Sequence, residues 1–153
     1  MEGQQILSYK RANFSTRLPG NHHYTASHFW LKKDDPSGCW RIGFTKFATR
    51  MLGEIVECEF DVKDGESIEP GQVIGWVEGF KAASDLYCVI KGKFRGANEL
   101  LDSDACIIKK DPYVDGWLYN VEGQLDLDVL DVNGYAEVLD QTIDRMKKEA
   151  EGT

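Results

Sequence analysis

Between residues 28 and 121 the chain never runs far without a turn signal. Asp34 to Gly38, Asp64-Gly65, Pro70-Gly71, Gly92, Asp111-Pro112 and Asp115-Gly116 punctuate it, and the apolar or alternating runs among them, Cys39 to Phe44, Ile55 to Val62, Val73 to Val77, Leu86 to Ile90 and Trp117 to Val121, are about five to eight residues long. Runs of that length suit strands, and short strands at close intervals pack as a small barrel or sandwich. His28 to Leu31 and Cys39 to Phe44 read as one hairpin, with Asp34-Asp35-Pro36-Ser37-Gly38 as its turn. Ile55 to Val62 alternates, which predicts Val56, Cys58, Phe60 and Val62 inside and Ile55, Glu57, Glu59 and Asp61 outside. Two stretches have the other period. Thr45 can cap a helix of about two turns carrying Phe44, Phe47, Ala48, Met51 and Leu52, with Gly53 as its stop. From Asn133 a longer helix places Tyr135, Val138, Leu139, Ile143 and Met146 on one stripe. The fold class expected is mainly β with α: two small antiparallel sheets, a short helix and a C-terminal helix.

The 153 residues suffice for one domain and no more. Its expected divisions are a flexible N-terminal extension at 1–20, a β-rich domain at 21–132 and the helix at 133–153 packed on it. A net charge of -8 opposes phosphate backbones and anionic membrane surfaces, so neither nucleic acid nor a membrane is expected as a partner. No apolar run reaches the roughly 20 residues of a membrane span, and residues 1–20 lack the apolar core of a secretory signal. A cytoplasmic location is expected ahead of a mitochondrial one. Cys39, Cys58, Cys88 and Cys106 are widely spaced and read as core thiols, and His22, His23 and His28 form only a local cluster.

The stretch that invites chemistry is Glu78-Gly79-Phe80-Lys81-Ala82-Ala83-Ser84-Asp85. Val73 to Val77 runs in and Leu86 to Ile90 runs out, so Lys81 falls at a hairpin tip, where a mobile amine on a long stem is open to covalent modification. Glu78 and Asp85 flank it with carboxylates that a basic modifying enzyme could read.

Four motifs in order resemble the H protein of the glycine cleavage system. They are Gly43-Phe44-Thr45-Lys46-Phe47-Ala48 with Leu52-Gly53-Glu54-Ile55-Val56, the run Val77 to Tyr87, Asn98-Glu99, and Asp111-Pro112-Tyr113-Val114-Asp115-Gly116-Trp117-Leu118. The resemblance implies a lipoyl-domain-like barrel-sandwich and lipoate joined by an amide to Lys81, with Glu78 and Asp85 recognised by a lipoate ligase or lipoyl transferase. It also implies a carrier and not an enzyme, one that shuttles an aminomethyl unit from glycine decarboxylase to aminomethyltransferase and is reoxidised by dihydrolipoyl dehydrogenase, in glycine catabolism and one-carbon metabolism. The chain departs from the family pattern in several places, among them the loop after Asn98-Glu99, whose end Cys106-Ile107-Ile108-Lys109-Lys110 is more basic than expected. It has Glu78-Gly79-Phe80-Lys81 where Glu-Ser-Val-Lys is common, Cys88-Val89 for Ser-Pro, and His28-Phe29-Trp30 for His-Glu-Trp. These departures leave open an H-like lipoate carrier for another system, in sulfur-compound oxidation or lipoate relay, and an unmodified interaction module.

Overall fold

The computed structural model describes residues 5–34 and 37–151. In chain order the elements are β1 (Ile6–Arg11), β2 (Phe14–Pro19), β3 (His23–Tyr24), β4 (Phe29–Lys33), β5 (Trp40–Phe44), α1 (Lys46–Leu52), β6 (Ile55–Phe60) and β7 (Ser67–Ile68). They continue with β8 (Val73–Gly79), β9 (Ala83–Tyr87), β10 (Gly92–Ala97), α2 (Leu100–Ser103), α3 (Ile107–Lys110), β11 (Tyr119–Gly123) and α4 (Val132–Glu151). All strand pairings are antiparallel. One sheet has six strands in the order β3-β4-β5-β11-β10-β7, a second has three in the order β6-β8-β9, and β1-β2 stands as a separate hairpin.

The two larger sheets share one core. Ile55, Ile74, Val77 and Leu86 from the three-stranded sheet meet Leu31, Ile42, Phe44, Phe94, Tyr119 and Val121 from the six-stranded one. A second core lies under α4, whose Tyr135, Leu139 and Ile143 recur at i, i+4 and pack with Tyr24, Trp30 and Phe47. Met146, expected on that stripe, is 40% exposed. The Asp131 side chain accepts the Gly134 N–H (2.7 Å) and so starts this helix one residue before the expected Asn133. Residues 152 and 153 of the expected helix lie outside the described residues.

The largest departure from the sequence expectation is at the N-terminus. Residues 6–19 of the supposed flexible extension form the β1-β2 hairpin, and Tyr9, Phe14 and Leu18 enter the second core. The Tyr9 hydroxyl donates to Asp140 (2.8 Å), and Arg11 donates to Asp144 through Nε and Nη2 (2.8 Å each), so the hairpin is tied to α4. Its turn at Ala12-Asn13 uses a non-glycine left-handed residue, Ala12 at φ 53°, and carries none of the usual turn dipeptides. Residues 1–4 lie outside the described residues, as do Asp35 and Pro36 of the expected β4-β5 turn. In the part of that turn that is described, Gly38 N–H donates to the Asp34 carbonyl (2.7 Å).

Two further differences have local causes. The pairing of β6 with β8 shifts register between Ile55 and Glu57, which inverts the first step of the alternation: Ile55 is buried and Val56 is 48% exposed. Asn98 to Ser103, expected as loop, contains α2, and Asn98 anchors it by donating through Nδ2 to the Asp115 and Trp117 carbonyls (2.8 Å each).

Candidate functional site

The β8-β9 hairpin narrows to four residues, Gly79 to Ala82, between the paired Glu78 and Ala83. Gly79 N–H donates to the Ala82 carbonyl across the tip (2.9 Å). The next two amides leave the hairpin and bind the segment that ends α1: Phe80 N–H donates to Glu54 O and Lys81 N–H to Leu52 O, both 2.9 Å. The tip is therefore seated on the helix end. Gly53, at φ +79°, stops the helix there, and a Cβ on Gly53 would lie 2.9 Å from Lys81 Cγ.

Above this fixed backbone the Lys81 side chain is exposed. Among the described residues its one side-chain hydrogen bond is a long one, Nζ to the Arg50 carbonyl at 3.4 Å, where the last carbonyls of α1 attract a cation. Phe80 beside it is 79% exposed. An amine so placed is reachable by a modifying enzyme, and the chain's own contacts do little to retain it.

The flanking carboxylates share a surface. In the three-stranded sheet Glu57 pairs with Glu78, Glu59 with Trp76, and Trp76 with Asp85, and directly paired residues present their side chains on the same face. Glu57, Glu59, Glu78 and Asp85 thus make one exposed acidic face behind the tip, while Val77 points the other way into the core. The sequence pointed to Glu78 and Asp85 only; the strand pairing adds Glu57 and Glu59, whose period-2 spacing had already placed them outside.

A cleft of about 320 Å³ lies beside the outgoing strand, lined by His28, Phe29, Phe47, Met51, Leu52, Ser84, Asp85 and Tyr87. Among the described residues Asp85 is its one carboxylate. Burial pushes His28 down to about 4, so this ring stays neutral at ordinary pH; its Nδ1 lies 2.9 Å from the Tyr135 hydroxyl, which contacts Thr45 Oγ1 at 2.7 Å. Other residues of the recognised motifs are structural. Trp30 Nε1 donates to the Pro112 carbonyl (2.9 Å), and Tyr113 OH accepts the Lys46 N–H (3.1 Å), which joins the Asp-Pro-Tyr run to the start of α1. His22 is buried edge-on to Trp30 and Tyr113. The four cysteines are free; Cys39 and Cys88 are buried as expected, whereas Cys106 is exposed.

Comparison with known proteins gives a consistent result. The family described as Glycine cleavage H-protein matches residues 22–141. A glycine cleavage system H protein of Mycobacteroides abscessus is 37% identical over 133 residues, covering 82% of this chain and 99% of that protein. One from Listeria monocytogenes serotype 4a is 37% identical over 126 residues, covering 80% and 98%. The crystal structure of a glycine cleavage system H protein from Mycobacterium marinum superposes with a TM-score of 0.70 at 33% identity, covering 78% of this chain and 97% of that one.

Proposed function

The chain belongs to the glycine cleavage H-protein family, and from that premise we propose that Lys81 is the residue through which it carries lipoate. Members of the family are covalent lipoyl carriers working in glycine cleavage, not catalysts. The observation that carries the assignment to Lys81 is its setting: an exposed amine whose backbone is pinned by the Leu52 carbonyl and whose neighbour Phe80 is pinned by Glu54. The residues present fit the group, because amide formation needs a free amine and room around it. Lipoate supplies a dithiolane that takes up a one-carbon amine unit and is reduced in the process.

What the chain contributes is position. Joining the amine in an amide removes its charge, and with it the attraction to the Arg50 carbonyl. The side chain is then free to turn either outward to a partner or into the cleft beside β9. In that cleft Asp85 is the group able to hold a cationic end, since Phe29 stands where the family commonly has a glutamate. Glu78 and Asp85, with Glu57 and Glu59 behind them, offer the ligase or lipoyl transferase an acidic face to read. The partners lie within the glycine cleavage system, and we assign them as glycine decarboxylase, aminomethyltransferase and dihydrolipoyl dehydrogenase. Four unpaired cysteines fit a reducing compartment, which supports the cytoplasm.

The test starts with a lipoate ligase and intact mass. One lipoyl group is expected, mapped to Lys81 and lost in Lys81→Arg, with slower modification in Glu78→Ala and Asp85→Ala. Lipoate on Lys91 or Lys93 would overturn the site. The lipoylated protein mixed with glycine decarboxylase should then support exchange of labelled bicarbonate into glycine. Full lipoylation without exchange would reassign the carrier to another lipoate-dependent system.

A further inference from the structure

The β1-β2 hairpin does more than cover the second core. Its register sets Ser8 opposite Arg17 and Lys10 opposite Ser15, and all four are exposed. Facing them across a groove of about 730 Å³ are Lys46 at the start of α1, Lys109 and Lys110 of α3, and Tyr113. Among the described residues five cations therefore line one concavity, and no carboxylate does, in a chain whose net charge is -8. Lys109 is shared with Glu54 at 3.6 Å; among the described residues Lys10, Arg17, Lys46 and Lys110 form no ion pair. Thr16, 8% exposed, also lines the groove. The family match begins at residue 22, so one whole wall lies outside the span that defines the family.

We propose that this groove docks an acidic segment of a partner protein. The charge pattern favours carboxylates strung along a chain over a compact phosphoryl group: four of the five cations are lysines, mobile point charges on long stems, and a single arginine offers a single bidentate fork. The net negative charge disfavours a nucleic acid. Position supplies the reason for a docking site here. Lys46 opens α1, and the other end of the same helix holds the Lys81 tip, about 10 Å away along the axis for seven residues. A partner anchored in the groove has the lysine beside it. The proposal rests on the carrier reading in one respect, that the partner is an enzyme working on the group carried by Lys81.

A fluorescein-labelled ten-residue oligoglutamate peptide is the probe, followed by anisotropy on the full chain. Binding is expected, weakening steeply between 50 and 300 mM salt as surface charges are screened. Lys10→Glu/Arg17→Glu should weaken it at least tenfold with the circular dichroism spectrum unchanged, and Lys110→Glu, on the opposite wall, severalfold. No binding by the wild type, or equal binding by both variants, would overturn the proposal. Tighter binding of a ten-nucleotide oligodeoxynucleotide, or displacement of the peptide by pyrophosphate at equal ionic strength, would overturn it in favour of a phosphate ligand. Lipoylation of Lys81 is read separately by mass, so its failure in the wild type counts against the carrier reading and not against the groove.

Discussion

Gly79 stands where a Cβ would lie 2.1 Å from the Leu52 carbonyl oxygen, closer than any side chain tolerates. The glycine lets the hairpin sit this close to α1, at a place where the family commonly has a serine. Gly79→Ser should lift the tip and cost about 1–3 kcal/mol, as overpacking does, measured by urea unfolding. An unchanged midpoint would mean that the tip is not seated at this distance. Two histidines make a pH prediction. Burial, and for His22 the nearby charge of Lys32 as a lesser cause, lowers both His22 and His28 to about 4. The unfolded chain therefore binds more protons below its histidine pKa of about 6.5. Stability is whole above that value and falls as pH drops from about 6.5 towards 4, by up to about 2 kcal/mol per ring between pH 7 and 5. Urea midpoints at those two pH values should differ less in His22→Gln than in the wild type.

Among the elements, the N-terminal hairpin was the least visible in advance. Phe14 is 5% exposed and meets Phe47 edge-on at 5.4 Å, so Phe14→Ala should lower stability by about 3 kcal/mol in chemical denaturation; a loss below about 0.5 kcal/mol would describe a hairpin that only rests on the surface. Leu7 and Tyr9, then Phe14, Thr16 and Leu18, do alternate with polar residues, and that signal was there to be read. It was obscured because the reversal at Ala12-Asn13 lacks glycine and because the buried partners, Tyr135 and Leu139, lie more than 110 residues away. Local chemistry served better where it was self-contained. Thr45 caps α1 by accepting the Ala48 N–H at 3.4 Å, Gly53 ends it, and the strand entering the Lys81 tip follows its β-branched run, whereas the strand leaving it, β9, takes in Ala83-Ser84-Asp85 and ends at Tyr87, ahead of the expected Leu86 to Ile90. The β6 bulge and the docking of the tip on α1 were not legible, since both depend on which strand or helix end comes to lie alongside. The basic groove is of the same kind: Arg17 and Lys110 say nothing of each other until the fold sets them on facing walls.

At the scale of the whole molecule α1 joins the two cores, with Phe47 in the one under α4 and Leu52 in the one between the sheets. The Lys81 amide is bonded to the Leu52 carbonyl. A hydrogen-exchange experiment should therefore find an unusual reading for a residue at a hairpin tip. Tips commonly open on their own at little cost, whereas this amide is released only when the end of α1 lets go, and Leu52 and Gly53 at that end are buried. Its exchange should be slow and track denaturant in step with the core amides of Val77 and Leu86, while Ala12 and Asn13 exchange freely; rapid exchange at Lys81 would detach the tip from the helix. If the tip opens only with the core, the anchor point of the carried group does not wander on the timescale of turnover. All the travel then belongs to the rotatable bonds beyond the Lys81 Cα, and the reach of the arm becomes a fixed radius about one point.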